Sequence, residues 1–146
     1  MSSRLDDEIR EQRGLAYSVY AMTHTGSDYS QLLLGAGLES AKTIETLGRM
    51  QKIVAELADN GPTEEEVRRA KTYAAGRLIL AFEDTETVAD CAATQLIVHG
   101  QSFDLQQTIA AFDAVTFKQV AEAACSIDPE KFAIACVGPH HPDEFS

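Results

Sequence analysis

The sequence predicts an α/β protein of the α+β kind, with helices packed on a mostly antiparallel sheet, and three patterns carry that prediction. Apolar residues alternate with others in two runs near the N-terminus, which is the period of a strand. Through the middle they recur at spacings of three and four, the period of a helix with one buried face. Near the C-terminus they gather in one β-branched and aromatic run, the composition of a buried strand. The 146 residues suffice for one ordinary domain, which buries roughly 70% of its unfolded surface. Apolar types at 45% and charged types at 24% give the balance of a globular protein.

Taken in order, Ser3 caps a helix from about Arg4 to Gln12, with Asp6, Asp7 and Glu8 in its first turn, where the helix dipole favours acids. Gly14 ends it. Leu15, Tyr17 and Val19 then alternate with Ala16, Ser18 and Tyr20 in a strand reaching about Thr23. Gly26, Ser27 and Asp28 are turn chemistry, and residues 29–38, interrupted by Gly35 and Gly37, return as an antiparallel strand. Residues 40–59 carry Ile44, Leu47, Met50, Val54 and Leu57 as an amphipathic helix, closed by Asn60, Gly61 and Pro62. Thr63 and Glu66 form a capping box that opens a helix to about Phe82. After Glu83–Asp84–Thr85 a further helix runs from about Glu86 to Val98 and ends at Gly100. Leu105, Ile109 and Phe112 mark a short helix, and a second capping box, Thr116 with Gln119, opens one reaching about Ser126. Asp128 and Pro129 turn the chain into a strand at residues 131–137, stopped by Gly138 and Pro139 before a loose tail. Three strands are few for so many helices, because a helical layer of this size covers a wider sheet. Part of the sheet is therefore expected to be missing.

Charge and composition exclude several functions. The net charge of −11, from 23 acidic and 12 basic residues, repels nucleic acid and anionic membrane surfaces. The acids bunch at residues 6–8, 64–66 and 83–86, as solvated helix starts or, alternatively, as a docking patch. The longest apolar run, residues 132–137, is far shorter than the ~20 residues of a membrane helix. MSSRLDDEIR has no apolar core of a secretory signal. Cys91, Cys125 and Cys136 are odd in number, lack C-x-x-C spacing and sit beside apolar residues. They read as buried free thiols in a reducing compartment, and the expected location is cytoplasmic.

Catalytic motifs are absent. His24, His99, His140 and His141 supply no H-x-x-E-H or H-E-x-x-H, and two ligands on one helical face need about one turn between them. His99 stands before a helix-ending glycine, a common structural place for histidine. No G-x-S-x-G, P-loop or G-x-G-x-x-G occurs; Gly35-Ala36-Gly37 lacks the third glycine.

One resemblance covers about the whole chain. The run Met1-Ser2-Ser3-Arg4-Leu5, followed by Glu8-Ile9-Arg10-Glu11 and Arg13-Gly14-Leu15-Ala16-Tyr17-Ser18-Val19, is similar to the C-terminal domain of the pitrilysin/insulinase zinc peptidases. That family includes mitochondrial processing peptidase and small bacterial relatives. The similarity continues through residues 61–66, Ala70-Lys71, residues 83–85, residues 113–116 and residues 137–139. It implies the metallopeptidase-like two-layer fold, with residues 1–146 as a single C-terminal, non-zinc domain. It further implies that the domain has lost its first strand and helix, so that the chain is the last part of a longer peptidase, whether shortened by expression, by a broken reading frame or by a late start.

The resemblance also assigns a role to the helix–strand junction. Family members place an arginine and a tyrosine seven positions apart there, binding substrate across from the zinc site; Arg10 and Tyr17 match. Their donors suit the carbonyl oxygens of an extended peptide and the charge developing at the scissile group. The plain alternative pairs Arg10 with a neighbouring carboxylate and leaves Tyr17 to pack, while Arg13 is a surface or packing residue. Asp6 departs from the family's usual aromatic, which implies looser docking of the helix.

No catalytic residue and no metal ligand are expected in this chain, because the H-x-x-E-H motif and its zinc belong to a separate N-terminal domain. The implied function is the substrate-binding and chamber half of a zinc metalloendopeptidase, inactive alone. Its partners are the N-terminal zinc domain or a subunit of the same fold, and a peptide substrate. The rival reading is a non-catalytic assembly subunit, like the core proteins of the respiratory bc complex. An unpaired sheet edge also leads us to expect a homodimer of the isolated chain.

Overall fold

The computed structural model describes residues 3–26 and 28–145, so Met1 and Ser2 of the N-terminal run, Ser27 of the first turn and Ser146 lie outside the described residues. Contacts divide the chain into two compact units, one made of the segment up to Gly61 with the segment from Cys125 onward, the other of Pro62–Ala124.

The first unit is built on the helix–strand junction. The Ser3 hydroxyl accepts the Asp6 N–H at 3.1 Å, as a cap should. The helix that follows widens into π turns over Asp6–Gln12. It buries Leu5 and Ile9, the latter completely. Gly14 adopts φ +58°, a left-handed conformation that a side chain disfavours, and open space lies where a Cβ would go. Glycine is needed there for its backbone. The turn lets the Leu15 N–H donate to the Ile9 carbonyl at 2.9 Å and starts β1 (Ala16–Thr25) directly against the helix.

β1 pairs antiparallel with β2 (Ser30–Leu38), with Ala16 opposite Leu38 and Val19 opposite Ala36. Between Ala16 and Ser18 the register slips, leaving Tyr17 as an extra residue. This bulge corrects the simple alternation of Leu15, Tyr17 and Val19. One inserted residue inverts the phase, so Ala16 and Val19, three apart, both face inward. Leu5, Ile9, Leu15, Ala16 and Ile53 form the core, with Val19, Leu34, Ala36, Leu38 and Met50 packed against it. A 3-10 turn at Ser40–Lys42 leads into α1 (Thr43–Asn60), which supplies Ile53 and Met50 and ends at Gly61. Gly61 has φ 69° and ψ −179°, a region open essentially to glycine alone.

The strand expected at residues 131–137 does not form. Asp128 caps a 3-10 turn at Pro129–Lys131, and residues 132–137 follow without a ladder and largely exposed. A strand exists only where a neighbour accepts its N–H and C=O groups, and no described segment lies at that distance. The expectation of buried thiols also fails: Cys136 is exposed in this unpaired segment, Cys125 is exposed at the end of a helix, and Cys91 is only half-buried. The C-terminal tail is more ordered than expected, with a 3-10 turn at Pro142–Phe145 and His140 Nδ1 3.1 Å from Glu144.

The second unit is helical: α2 (Glu64–Ala81), α3 (Thr85–His99), α4 (Leu105–Ala114) and α5 (Phe117–Cys125). Both capping boxes form. The Thr63 hydroxyl accepts the Glu66 N–H while Glu66 accepts the Thr63 N–H at 2.7 Å, and Gln119 accepts the Thr116 N–H at 2.8 Å. Asp84 and Asp104 cap α3 and α4, and Gly100, at φ +66°, ends α3. Lys71 Nζ donates to the carbonyls of Asp113 and Val115 at 2.7 and 2.9 Å, tying α2 to the end of α4, and Phe82 stacks on Phe103.

Candidate functional site

Arg10 and Tyr17 arise from adjoining elements joined by the Gly14 turn. Arg10, in the π-helical segment, extends a half-exposed guanidinium to Asp6 at 3.2 Å and to Glu11 at 2.8 Å. The Glu11 hydrogen bond first, and the Asp6 charge second, hold its pKa above the ordinary arginine value. Its Nε and Nη2 are thus engaged by neighbouring carboxylates, the pairing of the plain alternative. Asp6 makes half of that cradle. Arg13 approaches Glu8 at 3.7 Å, and Glu8 also meets Arg49 at 3.5 Å, so this second cation is an exposed residue sharing a carboxylate with α1.

Tyr17 is 78% exposed. The bulge that removes it from the ladder turns it to the outer face of the sheet, where its ring lies across Gly37; a Cβ at Gly37 would come within 2.6 Å of that ring. Tyr20 lies across Gly35 in the same way. The two glycines, legible in the sequence only as interruptions, are therefore seats for two phenols, the cross-strand pairing of aromatic with glycine. Sequence reasoning missed Tyr20 and the bulge that orients Tyr17.

Tyr17 and Tyr20 also border a groove of about 530 Å³. It is lined by residues 32–38 of β2, by Thr46, Leu47 and Met50 of α1, and by residues 132–137. Among the described residues no Asp, Glu, Lys or Arg lines it, and His140 does. Thr46 is buried, and its hydroxyl has no hydrogen-bond partner among the described residues.

Among the described residues no three of His, Cys, Asp and Glu come together as a metal site. The donor set of the described residues does not fit a catalytic zinc.

Residues 1–73, half of the chain, match the family described as the peptidase M16 inactive domain. The chain belongs to the peptidase M16 family. Its relatives include an uncharacterized zinc protease of Mycobacterium leprae, 31% identical over 96% of this chain and 32% of its own length. The uncharacterized zinc protease YmxG of Bacillus subtilis is 29% identical over 95% of this chain and 34% of its own length. The chain therefore spans about a third of the curated relatives it matches. Among solved structures, a peptidase M16 inactive domain from Pseudomonas fluorescens superposes with a TM-score of 0.71 at 25% identity, covering 88% of this chain and 31% of that one. The periplasmic protease PqqL of Escherichia coli shares the fold, with a TM-score of 0.65 at 19% identity over 82% of this chain and 14% of that one. The mixed helical and antiparallel fold expected from the sequence is thus that of this family's inactive domain. Among the described residues no helix is long and apolar enough to cross a membrane.

Proposed function

We propose that this chain is the substrate-contacting half of a zinc metalloendopeptidase, acting as one non-zinc domain beside a zinc-bearing N-terminal domain or a partner subunit of the same fold. The observation that supports the reading is the junction itself: Arg10, paired with Glu11 and Asp6, and Tyr17, left out of the ladder by a bulge and exposed, stand on adjoining elements. An extended peptide lying over that face presents carbonyl oxygens, and both groups donate to them. Their contribution to rate lies in holding the scissile bond against a water activated in the other half, and in donating to the oxygen on which charge develops. Peptide hydrolysis by an assembly containing this chain tests it. Tyr17→Phe should lower kcat about 10-fold or more while leaving the melting temperature within a degree or two, since it deletes one exposed donor and no packing. Unchanged kcat for both Tyr17→Phe and Arg10→Gln would refute the assignment.

The location we propose is cytoplasmic, on the strength of three free thiols, two of them exposed. We further propose that the chain alone forms a two-fold dimer, since among the described residues β2 pairs only with β1. Sedimentation as a monomer at high concentration would refute that.

One observation favours a second reading, a non-catalytic assembly subunit. A relative from Helicobacter pylori, 36% identical over 51% of this chain and 17% of its own length, is named non-peptidase homolog YmxG. A stable complex with a same-fold partner that hydrolyses no peptide would decide for it.

A further inference from the structure

The hairpin divides its side chains by face. Val19, Leu34, Ala36 and Leu38 pack against the core, so their chain neighbours Tyr20, Leu33, Gly35 and Gly37 belong to the opposite face. Met22 pairs with Leu33 and stands two residues from Tyr20, which places it there too. Tyr17 joins them through the bulge, its ring across Gly37. Tyr17, Tyr20, Met22 and Leu33 are all exposed. An antiparallel sheet with one wet face ordinarily turns polar residues outward, so a row of four large apolar side chains marks a surface that something covers.

The two glycines set the spacing of that row. Gly35 and Gly37 are two residues apart on β2, so the phenol rings rest on points about 6.7 Å apart. A Cβ at Gly35 would run into Cζ and the hydroxyl of Tyr20, as one at Gly37 would run into the Tyr17 ring, so both rings are seated on strand backbone. The same distance separates same-side residues of any extended chain.

We propose that Tyr20 is a specificity-determining residue. With Met22 and Leu33 it takes a bulky apolar side chain of the peptide substrate, two residues from the one that passes over Tyr17. This rests on reading Tyr17 as a substrate contact, and it adds the class of substrate: a peptide with apolar side chains at alternate positions. A peptide extended along β2 turns alternate side chains toward the sheet, and the two seats match their repeat. Aromatic rings and a thioether offer such side chains a dry, polarisable surface. A charged side chain on Tyr20 would lose hydration and meet no opposite charge from Tyr20, Met22 or Leu33. Because the row begins at Tyr17 itself, the substrate is the occupant that reaches it.

The test is a titration of the full chain with three acetylated, amidated peptides of glycine and serine. One carries two phenylalanines at alternate positions, one carries them on adjacent residues, and one carries none. Binding is read from the ring resonances of Tyr17 and Tyr20. The alternate peptide should shift both rings and bind at least about 10-fold more tightly than either twin. Tyr20→Thr, which keeps strand propensity and removes the ring, should bring that ratio close to one, while Tyr20→Phe should preserve it. Should Tyr20→Thr fail to fold, Leu33→Thr should lower the same ratio several-fold from the other strand. Equal binding of the three peptides, or a ratio that neither threonine variant changes, overturns the proposal. Tyr20 shifts that appear on concentrating the chain alone give the face to a second copy and overturn it as well. The same three sequences placed around a cleavable bond separate this inference from the peptidase reading. A preference for alternate spacing in binding, with no hydrolysis beside any zinc-bearing half, upholds the role of Tyr20 and refutes that reading. Hydrolysis that depends on Tyr17 but shows no such preference does the reverse.

Discussion

Ile9→Ala is the most informative single perturbation of the junction. Ile9 is wholly buried among Leu5, Leu15, Ala16 and Ile53, and its carbonyl accepts the Leu15 N–H at 2.9 Å. It is one residue from Arg10 and, through Leu15 and Ala16, two steps from Tyr17. Truncation to alanine removes about three carbons, worth roughly 0.8 kcal/mol each by transfer. The cavity left behind adds to this, giving a destabilisation of about 3–4 kcal/mol within the usual range for such changes. Against a typical total of about 5–15 kcal/mol, that is a large fraction. Ile9→Val should cost only about 1 kcal/mol. Urea unfolding followed by circular dichroism reads both values, and the native-state environment of Tyr17 can be followed by its ring resonances. We expect Ile9→Ala to lower the midpoint strongly and to broaden the Tyr17 signals as the π-helical segment loosens. A loss under 1 kcal/mol, with Tyr17 unmoved, would refute the claim that this contact holds the helix and strand together.

Further outcomes follow from backbone and charge. Gly61→Ala forces a Cβ into a region only glycine occupies comfortably and should cost about 1–3 kcal/mol in thermal unfolding; a neutral result would contradict the Gly61 geometry. Gly37→Ala brings a Cβ into the Tyr17 ring, which must swing away, so the Tyr17 resonances should shift while stability changes little. Unshifted resonances would show that the ring does not lie on Gly37. Asp84, whose carboxylate accepts from the Thr87 hydroxyl and N–H, titrates below the ordinary carboxylate range. A depressed folded pKa gives stability that is present above the unfolded value of about 4 and lost as pH falls through the folded one. Asp84→Asn should therefore flatten the acid limb of the stability profile below about pH 4, and superimposable limbs would contradict this.

What the sequence made legible was local. Thr63 with Glu66 and Thr116 with Gln119 satisfy helix N–H groups within four residues, so the capping boxes could be read directly and both formed. Gly14, between a capped helix and an alternating run, marked the junction for the same reason. What was not legible depends on partners distant in sequence. Phe132, Ile134 and Val137 have strand propensity, but a ladder requires a neighbour, and among the described residues none is beside them. The bulge at Tyr17 is invisible in a pattern of alternation because it is set by how Ala16 and Val19 both reach the core. Gly35 and Gly37 looked like breaks in a strand; only the pairing shows that each lies under a tyrosine. The groove joins β2, α1 and residues 132–137, three segments no sequence window contains together.

The central claim is that this chain contributes substrate contacts and no zinc chemistry to a peptidase formed with another half. Its most direct test is chelator-sensitive cleavage of a fluorogenic peptide, measured for the pure chain, for an H-x-x-E-H-bearing N-terminal half, and for the two mixed, with zinc determined by elemental analysis. The account predicts no tight zinc in this chain, no cleavage by either half alone, and cleavage by the mixture that falls about 10-fold or more with Tyr17→Phe. Stoichiometric zinc and chelator-sensitive cleavage by the pure chain would contradict it.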